Sequence, residues 1–348
     1  MKNLFIGIDF SKEKIDATII VANGLVELSE RISSEFMSTK KDYRRFVKWV
    51  EKHSYGIDVS AWLFCGENTG DYSKPLCNYL YGEGYDMWLE NAKSIKDSSG
   101  LRRLKTDRAD STMIAEYAMR NYDRAQYYKP LSNSLSHLRE LFLYRHMIVR
   151  HKSSFQVRRG EKDLILEKSP TKRLISNTGK HLIRECEKVI AKLDQQIKEL
   201  IDSDEILKQT YNIVTSVPGI GVQNAVCLIV YTENFTKFDF NARKIACYYG
   251  VAPFGKESGT SVFSAPKTHY MANKLIKSIL TQGALIAIKH CEQIKQYYLR
   301  LINKGKKSQV ALNNVKNKLL RLITALVKNN ALYDSNYINK YQTALFTT

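Results

Sequence analysis

The chain lacks the features that mark several large protein classes. No apolar run approaches the roughly 20 residues that a membrane-spanning helix needs. The amino terminus, Met1-Lys2-Asn3, runs straight into a strand pattern and not into a signal peptide, and no lipidation signal is present. The six cysteines, Cys65, Cys77, Cys186, Cys227, Cys247 and Cys291, lie far apart and include no C-x-x-C. They read as small buried apolar residues in a reducing compartment, and not as a disulfide framework. The seven histidines also lack ligand spacing, which argues against zinc. Internal repeats and low-complexity tracts are absent. Acid is scarce relative to base, with 35 Asp and Glu against 54 Lys and Arg.

That imbalance is the first positive signal. A net charge of +19 favours a polyanionic partner, through phosphate neutralisation and counterion release. An anionic membrane surface is the competing explanation. With 348 residues and a hydrophobic fraction of 44%, the chain can build two or three domains with sizeable cores.

Hydrophobic spacing divides the chain into three regions, residues 1–128, 129–208 and 209–348. The first is α/β. Phe5 to Asp9 and Ile15 to Val21 read as a strand hairpin around a polar turn, Ser11-Lys12-Glu13-Lys14. A third strand is expected near Gly24 to Ile32. Tyr43, Phe46, Val47 and Val50 fall at i, i+3, i+4, i+7 and predict an amphipathic helix. A strand at Trp62–Cys65, a helix near Tyr72–Tyr81 and a strand near Tyr85–Glu90 follow. Asn91 to Thr106 reads as a polar, basic loop. A strand meander followed by alternation resembles a ribonuclease H-like core. The middle region is helical, with helices predicted from Leu131 to about Val157 and from about Lys180 to Ile201, separated by a Ser-Pro-Thr-Lys break at Ser169–Lys172. Such stripes suit an antiparallel coiled coil, a dimer interface or core packing alike. The third region is mostly helical, with an apolar helix over Asn224 to Tyr231 and two basic helices at its end.

Four acids in the first region stand where a metal-dependent nuclease core places carboxylates. Asp9 and Glu67 end apolar strands, and Asp107 and Asp110 share a face at the start of a helix. Carboxylates so held can bind divalent ions and act on a phosphodiester. Oxygen ligands point to Mg²⁺, with Mn²⁺ as an alternative. Lys105 and Arg108 flank the Asp pair, which suits a site facing phosphate. The plainer reading makes Asp107 an N-cap and Asp110 a partner of the helix dipole.

Further on, Val217-Pro218-Gly219-Ile220-Gly221 before a helix resembles a helix-hairpin-helix turn, in which Gly219 and Gly221 let the backbone approach a phosphate. An ordinary Pro-Gly turn between packed helices is the alternative. Phe254 to Ser261 reads as a permissive Gly- and Ser-rich loop in which Ser258 could attack phosphorus, with Lys256, Glu257 and His269 as weak candidates for a base. Between Ala284 and Asn330 there are ten Lys and Arg, among them Lys304, Lys306 and Lys307, and Glu292 is the sole acid. So lopsided a run favours phosphate contact over a merely solvated face. Tyr270, Tyr297 and Tyr298 are interleaved, either to stack on bases or to pack in the core. Arg145, Arg150, Lys152, Arg158 and Arg159 form a second basic cluster.

These segments together resemble one family, the DEDD transposases of the insertion-sequence one-ten group. The amino-terminal match runs through Gly7-Ile8-Asp9-Phe10-Ser11-Lys12, Glu67-Asn68-Thr69-Gly70-Asp71-Tyr72 and Lys105-Thr106-Asp107-Arg108-Ala109-Asp110. The carboxy-terminal match runs through Val217 to Gly221, Phe238, Gly250-Val251-Ala252-Pro253 and Glu257-Ser258-Gly259. The resemblance implies a RuvC-like domain in which Asp9, Glu67, Asp107 and Asp110 bind Mg²⁺. It implies a second domain in which Ser258 forms a covalent link to DNA. It further implies a structured bridge RNA that pairs with donor and target DNA, a dimer or tetramer, and action in a prokaryotic cytoplasm at the nucleoid. One stretch departs from the family pattern. Met271-Ala272-Asn273-Lys274-Leu275-Ile276-Lys277 carries Ala272 for Gly and Lys277 for Arg, which keeps charge and loses bidentate geometry. Lys274 and Lys277 are expected on the nucleic acid, as is Lys256. Ser261 and Ser264 are neighbouring alternatives to Ser258. A junction nuclease using water, and a non-catalytic nucleic-acid binder, are the rival functions.

Overall fold

Alternation along the first strand sets the architecture of the amino-terminal unit. In β1 (Leu4–Phe10), Leu4, Ile6, Ile8 and Phe10 face one side of a sheet, while Phe5, Gly7 and Asp9 face the other. β2 (Lys14–Val21) returns antiparallel to β1, and β3 (Ile32–Met37) is antiparallel to β2. A helix, α1 (Lys40–Lys52), follows, and β4 (Trp62–Glu67) then lies parallel to β1 on its other side. α2 (Lys74–Gly82) leads to β5 (Met87–Glu90), parallel to β4, which completes a five-stranded sheet of order β3-β2-β1-β4-β5. The even-numbered face of β1 is covered by α1 and α2 through Tyr43, Phe46, Val47, Val50, Leu76 and Leu80. After α3 (Ala92–Ser98), the opposite face is covered by α4 (Asp107–Asn121), which packs on β1, β2 and β4. This computed structural model describes residues 2–22, 31–98, 100, 106–165, 169–258, 262–268 and 272–335, with the backbone alone at 162–165, 256–258 and 262–265.

The chain divides into two compact units, Met1–Pro130 and Leu131–Thr348, so the helices expected over 129–208 fall in the second unit. There α5 (Asn133–Ile165) and α6 (Pro170–Ser203) run antiparallel, tied by Arg145–Asp194 and Lys152–Glu187 ion pairs at 2.6 and 3.6 Å. α7 (Glu205–Thr215) leads through the Pro-Gly turn into α8 (Val222–Thr232), whose Ala225 to Val230 are all buried, as befits the central helix of a core. α9 (Ala242–Tyr248), an antiparallel hairpin of β6 (Pro253–Ser258) and β7 (Val262–Thr268), and α10 (Lys274–His290), α11 (Glu292–Asn303) and α12 (Ser308–Lys328) complete the unit. Among the described residues no helix is long and apolar enough to cross a membrane.

Several expectations are corrected. The third strand begins at Ile32, and most of Gly24–Ile32 lies outside the described residues. Only Phe36 of β3 is buried, so this edge strand carries little apolar pattern. The supposed loop after Asn91 contains α3, where the Asn91 side chain accepts from Lys93 N and Ile95 is buried. The break expected at Ser169–Lys172 does separate the two helices, but the second starts there, at Pro170, and not near Lys180. Ser169 Oγ accepts from Lys172 N as an N-cap, and Pro170 occupies the first helical position, where its missing N–H costs nothing. The segment read as a permissive loop is strand over Pro253–Ser258. Among the described residues three helices, not two, follow the β6–β7 hairpin. All six cysteines are free thiols, but Cys247 is exposed.

The seating of α4 depends on one residue. A Cβ at Gly7 would overlap the Ser111 carbonyl oxygen and Ala115 N, so α4 backbone lies directly against β1 there. Ser111 Oγ also hydrogen-bonds Thr18 Oγ1 of β2 at 2.8 Å. We expect Gly7→Ala to push the helix off the sheet and destabilise the protein by about 1–3 kcal/mol, as overpacked cores do. Chemical denaturation checks this, and an unchanged midpoint would show that the contact is soft.

Candidate active site

Sheet register collects the acids. Asp9 pairs with Asp16 across β1 and β2, and Glu67 pairs with Glu90 across β4 and β5. Since Ile8 pairs with Gly66, Asp9 and Glu67 follow at the same level on the face that α4 covers. α4 approaches that edge with its amino terminus. Its N-cap is Thr106, whose Oγ1 accepts from Ala109 N, and Asp107 is the first helical residue and not the cap. Asp107 and Asp110 therefore lie in the first turn, where the helix dipole favours negative charge.

The gathering shows in the electrostatics. Asp9 is raised from 3.8 to about 6, first by burial and then by the charges of Asp110, Asp107, Glu67 and Asp16. One cation already answers the cluster. Lys14 Nζ lies 3.0 Å from Asp107, 3.2 Å from Asp16 and 2.8 Å from Glu35, and these bonds hold its pKa well above the ordinary lysine value. Asp16 is itself raised by burial, against the opposing pull of Lys14. Sequence reasoning missed Lys14 and Asp16. The clue was available, because hairpin pairing of the first two strands puts Asp16 opposite Asp9.

As the side chains stand, no three His, Cys, Asp or Glu among the described residues are close enough together to hold a metal ion. Asp107 is turned to Lys14. The donor set nevertheless suits a hard divalent cation. It is all carboxylate, and its mutual repulsion is the strain that a bound cation relieves. Asp9, Glu67, Asp107 and Asp110 are the residues that could hold one.

The remaining expected residues fall elsewhere. Arg108 is exposed on α4, and Lys105 lies outside the described residues. Ser258 is the last residue of β6, its backbone paired with Val262, and Lys256 pairs with Ser264. The structure describes neither side chain. His269, Tyr270 and Ser261 lie outside the described residues. Lys274 is exposed at the start of α10, with Lys277 one turn on and partly buried. Lys304, Lys306 and Lys307 are exposed between α11 and α12. Gly221 is exposed as the N-cap position of α8, which has no side-chain cap. Gly219, at φ +88°, has a packing reason of its own, because a Cβ there would strike Gly283 O and Ala287 N of α10. Tyr297 packs against the second core with Lys318 Nζ 4.4 Å from its ring centre.

Comparison with known proteins gives the family. A family model of DEDD transposases, IS110 type, matches residues 6–159, and a model of the IS116/IS110/IS902 transposase family matches residues 211–299. Pilin gene-inverting proteins of Moraxella bovis and Moraxella lacunata are each 24% identical over 341 residues, covering 96% of this chain and 98% of theirs. An uncharacterized 43.6 kDa protein of insertion element IS110 from Streptomyces coelicolor is 28% identical over 145 residues, 41% of this chain and 34% of that protein. Among solved structures, RuvC of Thermus thermophilus aligns at 9% identity and a TM-score of 0.27, over 36% of this chain and 99% of that one. The chain belongs to the IS110 family of transposases. It is a DNA transposase or recombinase, and membership of a DEDD family carries divalent-metal dependence with it.

The raised Asp9 has a testable consequence. Its proton stabilises the metal-free fold, fully so below about 4, and that stability is lost as pH rises through about 6. A cation held by Asp9 must displace this proton. Affinity for a divalent ion should therefore fall about tenfold per pH unit below about 6 and level off above 7, as measured by calorimetry from pH 5 to 8. Asp9→Asn should raise the melting temperature of metal-free protein at pH 7.5 and abolish stabilisation by the ion.

Proposed function

We propose that this protein is the recombinase of an insertion sequence, cutting and rejoining DNA through a covalent serine–DNA intermediate. The observation that carries the reading is the convergence of Asp9, Glu67, Asp107 and Asp110 at one edge of the sheet, marked by the raised Asp9, in a chain of net charge +19. In this reading Asp9, Glu67, Asp107 and Asp110 form the Mg²⁺ site of a RuvC-like domain, with Mn²⁺ able to substitute. When bound, the ion supplies charge neutralisation and orientation at the phosphate. Lys14 releases Asp107 when the site loads, and keeps Asp16 and Glu35 as partners.

In this reading the scissile phosphate is bound at Ser258, the last residue of β6. Its Oγ attacks the scissile phosphorus, an Oγ–P bond forms, and the bond from phosphorus to the leaving strand oxygen breaks. The hydroxyl proton passes to the departing oxygen. Attack by a second strand's hydroxyl on the same phosphorus restores Ser258 and completes the exchange, so the phosphodiester energy is kept throughout. Lys256, Lys274, Lys277, Lys304, Lys306, Lys307, Arg108 and Lys105, with the backbone at Gly219 and Gly221, would hold donor DNA, target DNA and a structured bridge RNA. The helices of 129–208 would assemble a dimer or tetramer, because cutting two DNA molecules needs several active sites. Action at the nucleoid, in the cytoplasm, follows. The Moraxella relatives are named for gene inversion, a recombination that this chemistry would serve.

A junction nuclease needs only the acids and water, and the acid set lies entirely in the first unit. The separating experiment is adduct trapping with purified protein, its RNA, Mg²⁺ and donor and target DNA. Ser258→Ala should lose the protein–DNA adduct and all rejoining, to below about 0.1% of wild type. Asp9→Ala should lose cleavage as well. Full recombination by Ser258→Ala would remove the serine mechanism, and cleavage without any adduct in wild type would favour the nuclease.

A further inference from the structure

Three charged side chains among the described residues are nearly sealed from solvent: Asp42, Glu116 and Lys316. Asp42 is answered by Arg45 at 2.6 Å, and Glu116 by Arg31 at 2.7 Å. Lys316, only 6% exposed, has no carboxylate partner among the described residues. Its ammonium donates one hydrogen bond, to Thr281 Oγ1 of α10 at 3.2 Å, although a lysine carries three donors. The charge that bears on it is another cation, Lys277, four residues before Thr281 on α10. Residues four apart share a helix face, so Lys277 and Thr281 present one surface to the same neighbourhood. Thr281 Oγ1 donates to Lys277 O at 2.7 Å, which leaves its lone pairs to Lys316.

A buried ammonium beside a second ammonium is costly unless an anion neutralises it. α12 packs on α10, so Lys316 is held in this position by the core of the unit and cannot simply swing into water. Val315, Leu319 and Leu320, on either side of it in α12, are fully buried. Lys277 and Thr281 are only partly covered, which leaves the pair approachable from the Lys277 side. The amino terminus of α10 is already capped by Asn273 Oδ1, which accepts from Leu275 N and Ile276 N, so free helix N–H groups are not what an anion would meet. The attraction comes from the two ammonium groups.

We propose that Lys316 and Lys277 form a two-lysine clamp for a single backbone phosphate of DNA. α10 follows directly on the β6–β7 hairpin, and placing the clamped phosphate on the strand that Ser258 attacks rests on the reading of that serine. The clamp itself does not. Lys316 supplies a rigid, pre-positioned charge, and Lys277 closes on the phosphate from the partly exposed side. The buried charge that strains the free protein is thereby satisfied in the complex.

The test uses the full chain in buffer free of divalent ions. Anisotropy titrations with a duplex DNA and with an RNA oligonucleotide of the same length are run over a series of NaCl concentrations. Loss of one phosphate contact lowers the slope of log K against log salt by about 1 and weakens binding evenly across sequences. Lys316→Met should show this loss with DNA, and its melting temperature without DNA should hold or rise, because an unpaired buried charge has gone. Inorganic phosphate should raise the melting temperature of wild type and not of Lys316→Met. Lys277→Met, at a partly exposed position, should show the same slope change whether or not the Lys316 variant folds. An unchanged DNA slope in Lys277→Met, or a slope change confined to RNA, overturns the proposal. Ser258→Ala should keep the wild-type slope, so a wrong serine and a wrong clamp give different results.

Discussion

The amino-terminal unit depends on one close approach, the α4 backbone against β1 at Gly7. A helix on a sheet ordinarily stands off by the length of its side chains. Here the absent side chain of Gly7, and the small Ala115 opposite it, bring the two backbones together. The Thr18–Ser111 hydrogen bond pins the same crossing from β2. The consequence is chemical. The helix start, with Asp107 and Asp110 in its first turn, is carried to the strand ends that bear Asp9 and Glu67. The dipole of α4 offsets part of the repulsion among them. Without this seating the four acids would be unrelated surface charges.

The cluster is then held by unlike charge and strained by like charge. Lys14 bridges Asp16, Glu35 and Asp107, while Asp9 is left among carboxylates and raised to about 6. The arrangement is therefore poised. If an ion binds through these acids, as proposed above, Asp107 must leave its partner Lys14 and Asp9 must surrender its proton. Both are costs set against ion binding, and only the second shrinks as pH rises above 6, because Lys14 keeps its charge there.

Much of this was legible in the sequence because strong periodicity survives folding. Tyr43, Phe46, Val47 and Val50 are all buried on α1, as their spacing requires, and Glu67 ends β4 as expected, whereas β1 runs one residue past Asp9 to the buried Phe10. What was illegible had physical reasons. Asp16 and Lys14 join the acids through cross-strand register, which a linear reading does not display. α3 is seven residues long with a single buried residue, too short to show a period. The Ser-Pro at Ser169–Pro170 does mark a break between helices, but it is also the start of α6, because at the first turn proline costs no hydrogen bond. The β6–β7 hairpin hides in a Gly- and Ser-rich composition that also suits loops. Lys316 was counted within a basic run, and nothing in the run separates a buried lysine from nine solvated neighbours until the packing of α12 is known.

Each unit, taken by itself, holds charge of one sign that its described residues do not cancel. In the first unit, among the described residues, the carboxylates at the end of β1 outnumber the one lysine, Lys14, that meets them. In the second the buried Lys316 ammonium, which also feels the charge of Lys277, has only the Thr281 hydroxyl to accept from it among the described residues. Stability alone would favour replacing both, since apolar residues of similar size would remove the desolvation cost. Their presence is explained if the missing charges arrive with the substrate. A divalent cation answers the acids, and a phosphate answers the lysines.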